Sequence, residues 1–235
     1  MIDYQVKQQK NHLKLFNSVV DPNFLAKFES IRSRTMLSTE ALYNFWLCCK
    51  YVALKGIQGD VVELGVWQGG SLEVAQHSIL KWGGSNKVIG IDTFSGHPPP
   101  GVDERDAWGN SMLEEFKRRE ASGEGWAVAQ QSIVERNLAM VNSNFELRSE
   151  EINKQSTFQG IDKLTILRLD LDWYIPTQVA LNKLFEKIQR GGFIIIDDYG
   201  HHSGARKAVD EFILAKGLVL NLQHVNYSCV FAQII

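Results

Sequence analysis

A doubly wound α/β sheet is the fold this chain predicts. Its strands are mostly parallel and flanked by helices, with an antiparallel hairpin at the carboxyl end, extra helices at the amino end and a lid-like insertion. Three observations carry that expectation. From residue 60 to residue 216, short apolar runs alternate with segments of helical period, and strands alternating with helices give a parallel sheet with right-handed crossovers. Two runs, 165–169 and 193–196, are apolar at nearly every position, as strands buried on both faces are. The stretch 218–234 holds two further apolar runs joined by a short turn near His224, which makes them antiparallel.

Taken in order, residues 1–21 are polar and read as an arm or partner-binding tail. Pro22 opens a helix to residue 32, with Asp21 as its N-cap. A short loop, 34–37, leads to a helix over 38–55. There Leu42, Phe45, Trp46, Cys49, Val52 and Ala53 recur at helical spacing and Gly56 is the stop. Strand 60–64, helix 71–82 and strand 87–92 follow. After them come helix 126–141, strands 145–148 and 165–171, helix 176–190, strand 192–197 and helix 204–216. Final strands over 218–222 and 227–234 form the hairpin. A hairpin closing a parallel sheet favours the methyltransferase variant of the doubly wound fold over the dinucleotide-binding one. Residues 1–56 read as additions to a single domain spanning 57–235. Residues 95–125 break the rhythm: they begin Gly96-His97-Pro98-Pro99-Pro100-Gly101 and continue into a charged, helix-like stretch. A long loop at the ligand-bearing edge of a sheet reads as a lid or binding loop.

Bulk properties narrow the class. The chain has 235 residues, 44% of them hydrophobic, enough for one sizeable core. A net charge of −2 leaves no electrostatic footprint for nucleic acid. No apolar run approaches the ~20 residues of a membrane span, and the start of the chain lacks an apolar signal core. Cys48, Cys49 and Cys229 form no disulfide framework. These points predict a cytoplasmic protein, and an enzyme ahead of a scaffold.

The chemistry concentrates at strand ends. One buried run delivers Asp170 and then Asp172; the other delivers Asp197 and Asp198. Ligands of open α/β sheets bind outside the carboxyl ends of the strands. Four carboxylates gathered there need a positive partner, and oxygen-only ligands suit Mg²⁺, Mn²⁺ or Ca²⁺. If the strand continues, its period of two puts Asp170 and Asp172 on one side. The first strand ends in Glu63-Leu64-Gly65-Val66-Trp67-Gln68-Gly69-Gly70-Ser71. Gly65 permits a sharp turn, and Gly69 and Gly70 permit close backbone approach to a ligand. This is not the G-x-G-x-x-G of a dinucleotide site. An acid at Glu63 suits an ammonium group better than a pyrophosphate, as on S-adenosylmethionine. Asp92, at the next strand end, is placed to accept from ribose hydroxyls, with Thr93 beside it as a further cofactor contact.

These residues resemble the macrocin-type sugar O-methyltransferases of antibiotic biosynthesis. The resemblance runs from about residue 34 to 212. It rests on Arg34-Thr35-Met36, on the Glu63–Gly70 turn, on Asp92-Thr93-Phe94-Ser95-Gly96, on Leu167-Arg168-Leu169-Asp170-Leu171-Asp172-Trp173-Tyr174, and on the segment from Gly191-Gly192 to Asp197-Asp198-Tyr199. It implies S-adenosylmethionine as co-substrate, Mg²⁺ (or Mn²⁺) held by Asp170, Asp197 and Asp198, and Asp172 as general base beside Asp170. It also implies Thr35 and Met36 as a strip over the cofactor, and Glu63, Gly65, Ser71 and Asp92 as cofactor contacts. The acceptor would be a small molecule, a sugar hydroxyl foremost, and the enzyme a homo-oligomer. Leu171 stands where the family commonly has Gly, and Trp173 where it often has Thr or Leu.

His201 and His202 compete with Asp172 for the base role, since an unperturbed imidazole titrates near ~6.5. His201 is therefore a catalytic candidate, and His97 a weaker one. Trp67, Trp108, Trp126 and Trp173 are candidates for a wall around an acceptor, against the ordinary reading of Trp as core. Arg168 is read as facing away from Asp170's inner neighbours, with no partner assigned. Rival readings are the D-x-D pattern of nucleotide-sugar glycosyltransferases, the cephalosporin-hydroxylase-like group on the same fold, and a non-catalytic cofactor-binding module.

Overall fold

A computed structural model of the chain describes residues 20–154 and 156–235. Residues 1–19 of the expected arm lie outside them. Helix α1 (Pro22–Ile31) starts where the Asp21 side chain accepts from the Asn23 N–H. Helix α2 (Thr39–Lys55) is capped by Ser38 and ends at Gly56 in the left-handed region, φ 63°. Phe24, Phe28 and Ile31 of α1 pack with Leu42 and Trp46 of α2 and with Val74, so the added helices belong to the domain's core.

The alternating region then gives β1 (Asp60–Leu64), α3 (Gly70–Lys81) and β2 (Val88–Asp92), followed by α4 (Met112–Ser122) within the insertion. After it come α5 (Gln131–Val141), β3 (Phe145–Ser149), β4 (Leu164–Leu169), α6 (Tyr174–Leu184), β5 (Ile188–Ile196), α7 (Ser203–Lys216), β6 (Gln223–His224) and β7 (Val230–Gln233). Among the described residues they form one seven-stranded sheet in the order β3-β2-β1-β4-β5-β7-β6. The first five strands are parallel, and β7 is antiparallel to both neighbours. A parallel sheet closed by an antiparallel strand is thus present as the sequence predicts. Successive strand residues face opposite sides. Val62, Ile89 and Ile194 pack with α6 and α7 through Ala180, Leu181, Val209 and Phe212. Val61, Val88 and Ile195 pack with α2, α3 and α5 through Phe45, Val52, Leu72 and Leu138. No helix among the described residues is long and apolar enough to cross a membrane.

Five expectations are corrected. The helix expected over 126–141 begins only at Gln131, because Trp126 turns back toward the strand ends and Ala127 sits at φ 53°. The helix expected over 176–190 spans Tyr174–Leu184 and closes in a short 3₁₀ turn. Strand β5 accordingly starts at Ile188, ahead of the expected start at residue 192, and runs through Gly191 and Gly192. Gly191, at φ 84°, donates to Ile234 O at 2.6 Å there. Strand β4 stops at Leu169, and Asp172 lies in a left-handed turn at φ 58°, so no strand alternation places it beside Asp170. Residues 218–222 are not a strand. Leu218, Leu220 and Leu222 pack on the core without joining the ladder, and β7 pairs instead with the two residues of β6.

Candidate active site

The order β3-β2-β1-β4-β5 reverses direction between β1 and β4, and open α/β sheets hold their ligands at that switch point. The chain is tied tightly there. The Asp170 N–H donates to Leu64 O at 2.9 Å, and the Asp197 N–H to Leu169 O at 2.9 Å. Gly65, at φ 84°, faces Asp170 so closely that a Cβ would lie 1.8 Å from the Asp170 carbonyl oxygen. Gly65→Ala is therefore expected to cost about 1–3 kcal/mol from backbone strain alone, with the clash added. Urea unfolding of the variant checks this, and an unchanged midpoint would contradict the placement.

Arg168 sits at the centre and is 1% exposed. Its Nη1 reaches the fully buried Glu63 carboxylate and, at 3.0 Å, Asp170 Oδ2; its Nη2 lies 3.1 Å from Asp197 Oδ1. This corrects the earlier placement of Arg168: residues two apart on a strand share a side, so Arg168 and Asp170 belong together. Ser71 Oγ donates to Glu63 Oε2 at 2.8 Å. The positive group beside Glu63 is thus an internal guanidinium, and neither Glu63 nor Ser71 lines an open cleft. Burial raises the Glu63 pKa while Arg168 and Ser71 oppose the rise.

Around this pair the acids converge. Asp170, Asp197 and Asp198 each offer a carboxylate oxygen, all within 4.8 Å of one another. Three carboxylate oxygens this close form an oxygen-only donor set that would suit a hard divalent cation. Asp198 also belongs to a second group with Asp172 and His202, again within 4.8 Å. Burial, followed by the Asp172, Asp170 and Asp197 carboxylates, pushes Asp198 well above the usual range. Burial does the same to Asp170 despite Arg168. Of five carboxylates gathered here (Glu63, Asp170, Asp172, Asp197, Asp198), Arg168 pairs with Glu63, Asp170 and Asp197, a charge imbalance that a hard divalent cation would offset.

Asp172 is held differently. Trp126 Nε1 donates to its Oδ2 at 2.6 Å, and its own N–H donates to Asp198 Oδ2 at 3.2 Å. Its Oδ1 stands 3.7 Å from His202 Nε2. Burial works against its charge, but His97, His202 and the Trp126 hydrogen bond hold its pKa below the ordinary value. Burial lowers the His202 pKa, favouring the neutral ring. His201 lies outside this contact, against Trp108 and Tyr227.

Two clefts open near the acids, walled by residues that adjoin or touch them rather than by the clustered aspartates themselves. One, of ≈470 Å³, runs along the ends of β1, β2 and β3 and is lined by Gly65, Asp92, Thr93, Glu150, Leu171 and Trp173. Asp92 Oδ2 accepts from the Val66 and Trp67 N–H groups at 2.7 and 2.9 Å, and its Oδ1 accepts from Phe94 N–H. Its carboxylate therefore also fixes the turn after β1. The second cleft, of ≈790 Å³, lies between α4 and the β5–α7 loop and is lined by Arg105, Asn110, Arg118, Trp126, His201 and His202. The insertion closes over both. Trp173 Nε1 donates to Pro98 O at 3.0 Å, and the Tyr174 N–H to Glu104 Oε1 at 3.3 Å.

Other expected cofactor residues are occupied by the chain itself. At Gly69 a Cβ would meet Val134, and at Gly70 it would meet Arg34 O. These glycines admit α5 and the 34–36 strip, and line neither cleft. Arg34 anchors the strip through Glu73 at 2.8 Å, Thr35 Oγ1 accepts from Leu37 N–H, and Met36 is 68% exposed. Sequence reasoning missed Glu104, the role of Trp126, and the segment after β3 that supplies Glu150. Only the last carried a signal, its position at a strand's carboxyl end.

A profile of the macrocin-O-methyltransferase (TylF) family matches residues 27–233. The 8-demethyl-8-(2,3-dimethoxy-α-L-rhamnosyl)-tetracenomycin-C 4′-O-methyltransferase of Streptomyces olivaceus is 29% identical over 90% of this chain and 79% of its own length. The demethyldecarbamoylnovobiocin O-methyltransferase of Streptomyces niveus is 29% identical over 77% and 68%. The solved structure of the O-methyltransferase NovP superposes with a TM-score of 0.72 at 26% identity, covering 86% of this chain and 82% of that one. The calicheamicin methyltransferase CalS11 superposes with a TM-score of 0.61 at 12% identity, covering 91% and 93%, a likeness of fold alone.

Proposed function

The chain belongs to the macrocin-O-methyltransferase (TylF) family, and on that footing we propose that it transfers a methyl group from S-adenosylmethionine to a hydroxyl of a sugar or other small natural-product acceptor. The carrying observation is that an acid cluster sits at the sheet's switch point between two clefts, one walled by Leu171 and Trp173 next to Asp170 and Asp172, the other by Trp126 and His202, which touch Asp172. The first cleft takes the cofactor, with Gly65 beneath it and Asp92 and Thr93 at the ribose. The second takes the acceptor. The relatives' acceptors, a rhamnosyl tetracenomycin and a novobiocin precursor, support the natural-product class.

Asp170, Asp197 and Asp198 would hold a divalent cation, Mg²⁺ or Mn²⁺ by their oxygen-only donors. Such an ion, when bound, lowers a hydroxyl pKa and orients its oxygen. Asp172 takes the hydroxyl proton. The C–O bond forms as the C–S bond breaks, leaving an ether and S-adenosylhomocysteine. Arg168 keeps Glu63, Asp170 and Asp197 in place without touching the reacting atoms. Alignment of oxygen, methyl carbon and sulfur supplies much of the remaining acceleration. Asp172 is favoured over His201 as base because His201 faces the outer rings and Asp172 faces the cluster.

The test is calorimetry with S-adenosylhomocysteine, together with transfer of labelled methyl to O-demethyl glycosides of the tetracenomycin and novobiocin types. Cofactor binding and methylated product are expected. Binding of a nucleotide sugar in place of the cofactor would favour the glycosyltransferase alternative. Excess chelator is expected to cut turnover at least about tenfold, with Mg²⁺ or Mn²⁺ restoring it. Indifference to chelator would remove the cation from the account.

A further inference from the structure

Trp108 is an exposed indole on a rigid support. It is 73% exposed, where a Trp whose task is packing would be buried. Asp106 knots the loop that carries it, accepting from the Trp108 N–H at 2.9 Å, the Asn110 N–H at 2.8 Å and the Asn110 amide at 2.7 Å. The loop is pinned to the start of α7, where Arg105 N–H donates to Ser203 Oγ at 2.8 Å and Ser203 N–H donates to Arg105 O at 2.9 Å. Ordering has thus been completed before any ligand arrives.

Two other segments bring rings to the same place. His201, from the β5–α7 loop, lies 5.2 Å from the Trp108 ring, and Tyr227, from the β6–β7 turn, lies 5.9 Å from His201. Tyr227 is 63% exposed, and its hydroxyl is 3.3 Å from His201 Nδ1. The rings continue inward. His202 is 4.5 Å from His201, Trp173 is 5.1 Å from His202, and Trp126, which holds Asp172, is 5.1 Å from Trp173. A file of aromatic rings therefore leads from solvent to the acid cluster. The cleft beside it is otherwise lined by hydrogen-bonding side chains such as Arg105, Asn110 and Arg118.

We propose that Trp108 is the stacking face of a saccharide platform beside the outer end of the acceptor cleft, against which a pyranose ring lays its C–H face while His201 and Tyr227, at an angle to it, wall the ring's sides. A pyranose has an apolar face and a polar rim, and this site offers the largely exposed indole of Trp108, with His201 at 74° and Tyr227 at 45° to it as side walls, beside polar donors and acceptors. Large amphipathic rings give contact area at low entropic cost. The platform deepens the methyltransferase reading and rests on it. It assigns acceptor selectivity to the inserted loop, and makes Trp108 and Tyr227 specificity residues rather than catalytic ones.

The test uses ¹⁵N-labelled protein saturated with S-adenosylhomocysteine, reading the Trp108 indole N–H while methyl α-L-rhamnopyranoside is titrated in. A parallel titration uses 7-hydroxycoumarin, an aromatic ring without sugar. The rhamnoside is expected to shift the Trp108 signal. Trp108→Ala and Tyr227→Ala are each expected to weaken its binding about fivefold or more, and Trp108→Phe by less than about threefold. The exposure of Trp108 makes the alanine variant safe for folding. An unmoved Trp108 signal, rhamnoside affinity unchanged in Trp108→Ala, or a platform occupied by the coumarin and not the rhamnoside would each overturn the proposal. S-adenosylhomocysteine affinity is read in the same samples, so its absence would strike the methyltransferase reading while the saccharide arm judges the platform.

Discussion

Replacing Arg168 with methionine is expected to lower the unfolding free energy by about 3–5 kcal/mol, the cost of breaking a buried ion pair by removing one partner. For a domain whose unfolding free energy is about 5–15 kcal/mol, that is a large share of the total. The reason is the company Arg168 keeps. Glu63 is fully buried and has only Ser71 besides Arg168, while Asp170 and Asp197 rest on the same guanidinium. Removing Glu63 as well relieves most of the uncompensated charge. Arg168→Met with Glu63→Gln is therefore expected to be less damaging than the sum of the two single changes, a coupling that a double-mutant cycle reads directly. Urea unfolding followed by circular dichroism provides the numbers. A single variant within about 1 kcal/mol of the parent, or strict additivity in the cycle, would show that Arg168 does not hold the acids together.

Asp172→Asn is expected to cut methyl transfer by about 10²–10⁴-fold, the range that a positioned proton acceptor contributes, and to leave S-adenosylhomocysteine affinity within about threefold. The substitution is gentle in structure. The amide oxygen can still accept from Trp126 Nε1, and the backbone N–H that meets Asp198 is untouched. What it removes is the negative charge that receives the proton. His202 is the necessary comparison, because it lies 3.7 Å from Asp172. With Asp172 as base, His202→Gln loses much less activity than Asp172→Asn. The opposite order, measured as kcat at saturating cofactor, would move the base to the histidine.

Much of the fold was legible because its signals are local. Continuous apolar runs marked β1, β2, β4 and β5, Asp21 and Gly56 marked helix ends, and the acids were visible as the residues that terminate buried strands. What escaped depends on distant partners. Gly191-Gly192 reads as a break, yet β7 pairs alongside and carries the strand through it. Trp126 reads as the first residue of a helix, yet its indole is drawn to Asp172, 46 residues away. Gly69 and Gly70 read as room for a ligand, and the space is filled by Val134 and Arg34. Arg168 was visible as a residue but not as the counter-charge of Glu63, 105 positions earlier. Glu63 was read as the partner of a cofactor ammonium group, and the cation found beside it is the protein's own Arg168.

The strand-end aspartates are proposed to grip a divalent ion between cofactor and acceptor. Electron paramagnetic resonance of Mn²⁺ titrated into the protein with S-adenosylhomocysteine addresses this claim most directly. The expected result is one bound Mn²⁺ per chain, displaced by excess Mg²⁺ and lost in Asp197→Asn combined with Asp198→Asn while the cofactor still binds. A parent protein that binds no Mn²⁺ at millimolar concentration, or a double variant that binds it as well as the parent, would contradict the claim.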